Sequence, residues 1–599
     1  MRLEEDLLRY YTEELTYLRS MGREYARKYP KIADRLELQD GYPADPHVER
    51  LIESFALLTG RVRHEMDAQF PEITSSLLGV LYPQLQEPVP SLAIAHFQID
   101  PKRGKFTTGH LIPRGTSLFA YGSRDATCRF RTAYPVTMWP IEISEAAMEP
   151  PARYDFLSSD ARICGVLRLR VRALAGSLDE LSLDTLRIYL DHRSGPAYRI
   201  YELLFSALSR VMILSEGGGT PVTLPSASIT PVGFSSDEDL LPSPPHAHPA
   251  YGQLQEYFQF PEKFLFVDLK HLGRHRSKQY FDVLLPFTQL PKENLTVSRE
   301  MFVLGCAPIA NLFSRTTEPI RIDQRQLHYR LVPDLRREHT TEIHSIQAVS
   351  SSMNPADATR NFEPFYSFRH ASGGTRCNAF WHSKRVLAQR EEMFGTDMYL
   401  SFLDLNFNPA VPAADVVFAQ TLCMNRDLAT EIPAGGQLHM EDVGPVTVTC
   451  LSRPTHPAYP PIGGRTSWNL ISNLSLNHLS LSGEQGRNAL CEILRLYCFG
   501  DQPALLQQIR GIRDISSRQT TLRLGKDAWR GFCSGTEVTL TLDESLYAGG
   551  GAFLFATVLR HFLGLYASVN SFTQLVAKRL NREEEWMRWP PLAGMQPLI

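Results

Sequence analysis

The spacing of apolar residues changes near residue 91, and that change limits which folds the chain can adopt. Before it, Leu8, Tyr11, Leu15, Leu18, Gly22, Tyr25 and Tyr29 recur at alternating three- and four-residue steps, the seam of a helix that packs against other helices. Pro30 stops this helix, because proline has no amide hydrogen and its ring clashes with the preceding turn. A second helix starts at "DPHVERLIESFALL". Asp45 suits the cap, Pro46 the first turn, and Val48, Leu51, Ile52, Phe55, Leu58 and Val62 form one face. "PEITSSLLGVLYP" predicts a third, short helix. These segments satisfy two arrangements: a self-contained three-helix bundle, or a first helix that packs against helices of another chain.

From residue 91 the period is two. "LRLRVRA", "TLRIYL", "PVTVTCL" and "TEVTLTLD" alternate, with Leu167, Leu169, Val171 and later Val538, Leu540 and Leu542 inward. Strands this short and bounded by turns pair mainly antiparallel. The fold class is therefore α+β, with an N-terminal helical bundle segment, several mainly antiparallel β-rich domains and a C-terminal helix. With 599 residues the chain exceeds a single core, and roughly three to five domains are expected. The expected division is 1–90, an N-terminal helical region that joins a partner bundle; 91–230, β-rich; 231–370, a central α+β domain; and 371–599, a C-terminal α+β domain. The Pro-, Ser- and Gly-rich stretch 214–251 reads as a linker or long surface loop, and 350–376 and 452–467 as further soft segments.

Composition narrows the function classes. Basic and acidic residues nearly balance, 62 against 65, so the chain lacks the basic excess that gripping nucleic acid through its phosphates requires. The most apolar stretch, 551–569, carries Arg560 and His561 at its centre, where a charge in a bilayer costs about 2.5–3.5 kcal/mol. It reads as a buried or interface helix with Phe555, Leu559 and Phe562 on one face, and no direct membrane insertion is expected. The acidic start "MRLEEDLLRYY" has no apolar signal-peptide core. Nine cysteines without short paired spacing fit free thiols in the cytoplasm.

Candidate chemistry fails on context. "GFCSG" places Cys533 in a G-x-C-x-G, but a strand pattern follows where a nucleophile elbow needs a helix. "RHEMD" offers His64 without a second histidine one turn on, since Ala68 stands there. "HAH" at 246–248 has no third or fourth ligand nearby, and neither glycine triplet is followed by the Lys-Ser/Thr of a phosphate loop. No catalytic, cofactor-binding or metal-ligating residue is assigned, and no cofactor is expected. The Arg168, Arg170, Arg172 stripe reads as a solvated sheet face. In "YFQFPEKFLFVDL" (257–269) the second half alternates with apolar residues on both sides. It predicts a strand covered on both faces, with Phe260, Phe264 and Phe266 in the core and Glu262 and Lys263 in solvent at the turn.

Long irregular motifs then carry a resemblance. "YYTEELTYLRSMGREYARKYPKIADRLEL", "DPHVERLIESFALLTGRVRHEMDAQFPEITSSLLGVLYP", "IPRGTSLFA", "CRFRTAYPVTMWPI", "LQEYFQFPEKFLFVDL", "LGCAPIANLFSRTTEPI", "CMNRDL" and "GGGAFLFATVLRHFLGLYASVNSFTQL" occur in this order nearly end to end. The chain resembles the TssF (VasA, ImpG) family of type VI secretion baseplate subunits. The resemblance implies a non-enzymatic wedge component of a contractile injection machine, similar to wedge proteins of phage baseplates. Its implied partners are TssG, a second copy of itself, TssE, TssK and the VgrG spike. Its implied location is cytoplasmic, docked at the inner-membrane complex through other subunits. Leu8, Tyr11, Leu15, Leu18, Tyr25, Phe555, Leu559 and Phe562 are the expected partner-interface residues. A β-rich soluble hydrolase and a ligand-binding protein are the alternatives.

Overall fold

The computed structural model describes residues 2–594 apart from 70–77, 101–106, 353–359, 366–379, 404–415, 461–482, 524–531 and shorter gaps of one to four residues. The chain divides into two compact units, the smaller drawn mainly from residues 1–80 and a much larger one drawn from the residues after 80.

The smaller unit is built on two long helices, Arg2–Lys28 and Pro46–Gln69, with a short helix, Pro30–Arg35, between them. The proline that breaks the first helix thus opens the next, where a missing amide hydrogen costs nothing. Gly60 lets the long helices touch: a Cβ there would lie 3.1 Å from the Tyr11 backbone nitrogen. Ala56, one turn before Gly60, is fully buried. Arg19 pairs with Glu49, and Arg63 Nη1 lies 2.7 Å from Glu14 Oε1. Most of the expected third helix lies outside the described residues.

The larger unit is organised around a closed six-stranded barrel. Its order is Cys306–Ala310, Leu92–Ile99, Val446–Cys450, Gln437–Met440, Ser117–Tyr121 and Thr127–Thr132. Beside it stands a five-stranded antiparallel sheet ordered Val222–Pro225, Arg210–Ser215, Tyr280–Phe287, Gly165–Ala173 and Ile141–Glu149. A four-stranded sheet joins Ile229–Pro231, Phe266–Leu269, Leu186–Leu190 and Phe302–Leu304. Among the described residues the strand pairs are antiparallel except that Phe532–Leu542 runs parallel to Phe572–Arg579. Parallel neighbours need a crossover connection, and the helix Ala552–Gly564 lies in that link, with the strand Phe572–Arg579 after it.

The cuts expected after residues 230 and 370 fall inside shared structure. Position 230 lies within the Ile229–Pro231 strand. Gly165–Ala173 pairs with Tyr280–Phe287, and Glu342–Ser352 pairs with Val416–Met424. Stretch 214–251 is folded where described, which corrects the linker reading. It contains two of the strands above and the start of the helix Pro249–Gln259, and it buries Leu224, Val232, Leu240 and Leu241. Its glycines supply turns, Gly217, Gly218 and Gly219 all having positive φ, while its few large apolar residues do the packing.

Candidate functional site: an exposed helical seam

Apolar residues at heptad spacing bury themselves only if another helix lies along them. On the second long helix, the buried side of the face is carried by Ala56 and Gly60, small residues that let the first helix approach. Leu51, Phe55, Leu58 and Val62 follow one another at four, three and four residues, and they are 72%, 52%, 60% and 51% exposed. On the first helix Leu8 and Tyr25 are exposed as well, and Tyr11, Leu15 and Leu18 are half-buried. The two helices therefore satisfy each other in part, and the stripe of Leu51, Phe55, Leu58 and Val62 stays more than half exposed. Burying what remains exposed of these four side chains is worth roughly 3.5–7 kcal/mol, at about 1.5–3 kcal/mol for each fully exposed one. Soluble surfaces carry scattered single apolar residues, whereas a contiguous stripe marks an interaction surface.

Phe555, Leu559 and Phe562 do not belong to such a surface. They are 0%, 0% and 1% exposed, in the core of their own chain, which corrects the expectation that they face a partner. Their helix packs on Pro249–Gln259: the Phe555 ring lies 5.6 Å from those of Tyr257 and Tyr547, and Phe562 lies 6.0 Å from Tyr251. Sequence periodicity finds an apolar face without saying which chain covers it.

The aromatic run between these elements has a different local structure from the one expected. Tyr257 to Gln259 end a helix, Pro261–Phe264 form a 3₁₀ turn, and the strand begins only at Phe266. Phe260, Phe264 and Phe266 are all buried. Lys263, expected in solvent, is fully buried and paired with Glu256. Glu256 lies in the last turn of the helix and Lys263 in the 3₁₀ turn that follows, which brings the ammonium back to its partner. The other Glu256 oxygen accepts from the amides of Leu240 and Leu241 at 2.7 and 2.8 Å. Tyr134 Oη in turn donates to the Lys263 carbonyl at 3.0 Å.

The arginine stripe is a cross-strand ladder with little free charge. Arg168 meets Glu149 at 2.9 Å and Glu145 at 2.8 Å, Arg170 meets Asp282 at 2.8 Å, and Arg172 meets Glu142. The Arg170 guanidinium also lies 4.5 Å from the Tyr280 ring centroid. Cys533 sits within the strand Phe532–Leu542 and His248 caps the helix Pro249–Gln259, both structural positions. The rest of "HAH", and the His64 side chain, lie outside the described residues. Among the described residues no helix is long and apolar enough to cross a membrane.

The profile of the family described as "Type VI secretion system, TssF" matches residues 3–596. This chain belongs to the TssF family. It is 36% identical over 616 aligned positions to the type VI secretion system component TssF1 of Pseudomonas aeruginosa, covering 99% of both chains. It is also similar to a chain of the type VI secretion TssK-TssF-TssG baseplate subcomplex solved by cryo-electron microscopy. That likeness has a TM-score of 0.72 at 25% identity and covers 92% of this chain and 99% of the other. A chain of a second structure, the baseplate complex from the type VI secretion system, shares the fold with a TM-score of 0.59 at 24% identity, covering 99% of this chain and all of the other. TssF is thus a type VI secretion component, and the α+β architecture with its N-terminal helices is the TssF fold.

Proposed function

We propose that this TssF chain is a structural subunit of the baseplate wedge and that its two long N-terminal helices complete a helical bundle with TssG. The observation that carries this is the uncovered seam of Leu51, Phe55, Leu58 and Val62 beside Leu8 and Tyr25. Its heptad spacing fits a helix as partner, and TssG is the partner because the solved relative comes from a TssK-TssF-TssG subcomplex. Obligate assemblies bury apolar surfaces of about 2,000 Å² or more, with aromatic residues at the energetic centre, and Phe55 and Tyr25 have that character.

On this reading the chain acts mechanically and not as an enzyme. TssK attaches to the wedge, a second copy pairs with the first around TssG, and TssE and the VgrG spike join as the sheath–tube complex assembles. The protein works in the cytoplasm, held at the inner-membrane complex by other subunits. The test is co-purification of the full chain with TssG after Leu8→Asp, Leu15→Asp or both. Loss of TssG with unchanged far-UV circular dichroism is expected. Normal assembly of the double variant overturns the bundle reading. Loss of secretion by an otherwise fully assembled Cys533→Ala baseplate would revive an enzymatic one.

A further inference from the structure

Residues 233–241 form a strap laid against the helix Pro249–Gln259. Gln253 Nε2 of that helix donates to the Phe234 carbonyl at 2.7 Å, and Glu256 Oε1 accepts from the Leu240 and Leu241 amides. The Leu240 and Leu241 side chains are themselves buried. Within the strap, Glu238 Oε2 accepts from the Gly233 amide at 2.7 Å. From outside it, Arg114 Nη2 donates to the Asp239 carbonyl at 2.6 Å, and the Phe234 ring stacks on His561 at 4.6 Å.

The charges around this strap do not balance. The buried or half-buried carboxyl groups are Glu238, Asp239, Glu256 and Asp268, and the cations are Arg114, Arg187 and Lys263. Arg187 meets Asp268 at 2.7 and 2.8 Å and Glu238 at 3.3 Å. Lys263 is paired with Glu256. The hydrogen bond of Arg114 goes to a main-chain carbonyl. Asp239, only 9% exposed, is thus left without a counter-ion among the described residues, and its Oδ1 has no donor.

An ionised carboxyl in that position loses its water, gains no charged partner and is repelled by the Glu256 carboxylate; the neutral acid suffers none of this. Burial, followed by the Glu256 charge, accordingly raises the Asp239 carboxyl to about 7. Lys263 and Arg114 oppose the rise, and the exposed Asp237 adds to it. Tyr134, which also faces the cluster, keeps its own proton, because burial and then the Glu238 charge hold it well above the usual range.

We propose that Asp239 holds a proton in the closed strap and that losing it loosens residues 233–241 from the helix Pro249–Gln259, which makes the strap a clasp set by pH. Opening carries Asp239 into water, where an aspartate ionises near about 3.9. Between that pH and about 7 the open form has given up the proton and the closed form has kept it. Opening therefore becomes easier as pH rises through this range and changes no further above it. The sign is opposite to that of His561 on the same strap, whose pKa is lowered to about 4 and whose protonation opposes closure on acidification.

Hydrogen–deuterium exchange of the full chain across about pH 5.5–8 reads this at the Leu240 and Leu241 amides, which Glu256 protects in the closed strap. Relative to intrinsic exchange, their protection should fall about tenfold per pH unit up to about 7 and then level off. Asp239→Asn keeps the shape of the neutral acid and cannot ionise, so its protection should stay flat over the same range. A wild-type profile as flat as that, or a variant profile as steep as the wild type, would overturn the inference. A second readout uses the wild type alone, with isotope-labelled aspartate followed by infrared spectroscopy. A protonated-carboxyl band should be present at about pH 6 and gone by about pH 8.5, and its absence at the lower pH would overturn the inference equally.

Discussion

Lys263 and Glu256 give a sharp energetic test because their pair has no access to water. Both side chains are essentially unexposed, at 0% and 1%. Lys263→Met removes the ammonium and leaves a buried carboxylate held only by the amides of Leu240 and Leu241. Breaking a buried pair from one side costs about 3–5 kcal/mol, whereas an exposed pair is worth about 0–1 kcal/mol. The cost has a second component: Asp239 lies close by, its carboxyl pushed up to about 7 by burial and then by the Glu256 charge, with Lys263 opposing that rise. Replacing both partners, Lys263→Met with Glu256→Gln, removes both charges and keeps an acceptor for the two amides, so most of the loss should return. The assay is urea unfolding of the single and double variants followed by far-UV circular dichroism. A single-variant loss under about 1 kcal/mol, the size expected of an exposed pair, would refute the reasoning. So would a double variant as unstable as the single one.

Other expectations follow from the same packing. Phe555→Ala should lower stability by about 3–5 kcal/mol in chemical denaturation, as truncation of a fully buried phenylalanine does, with no selective loss of a partner at matched folded concentration. Gly60→Leu should separate the two long helices, because even a Cβ lies 3.1 Å from the Tyr11 backbone; limited proteolysis should then cut within residues 2–69 while the barrel unit stays intact. Burial, followed by the nearby Arg560 and His248, lowers the His561 pKa from 6.5 to about 4. The unfolded chain therefore takes up this proton first: the group's stability is intact above about pH 6.5 and is lost as pH falls toward 4, by about 1.4 kcal/mol per unit. His561→Leu should show a shallower decline than wild type across that window when unfolding free energies are measured at several pH values, and equal slopes would contradict it.

The helices and most strands were legible because their apolar periods are strong: the Leu167, Leu169, Val171 alternation is the inner face of a real strand. What failed to show was long-range. Phe555 and Leu58 have equally convincing helical patterns, yet one is covered by Tyr257 and Tyr547 of its own chain and the other is 60% exposed. Only the three-dimensional neighbours decide that, and they are hundreds of residues apart in one case. Lys263 escapes a sequence reading for a related reason. Polarity at a proline turn normally means solvent, and the buried partner becomes visible only once the 3₁₀ turn brings Lys263 back to Glu256. The stretch 214–251 has the composition of a loose segment, yet a few apolar side chains suffice to anchor it.

The central claim, that the seam on the second long helix is covered by TssG, is tested most directly by a photo-reactive amino acid placed at Leu58 in the full chain. Irradiation of the co-expressed TssF–TssG complex, followed by mass spectrometry, should yield a cross-link from position 58 to a helical peptide of TssG, with far less from the same probe at buried Ala56. A complex that forms normally and gives no TssG product from position 58 would contradict the account.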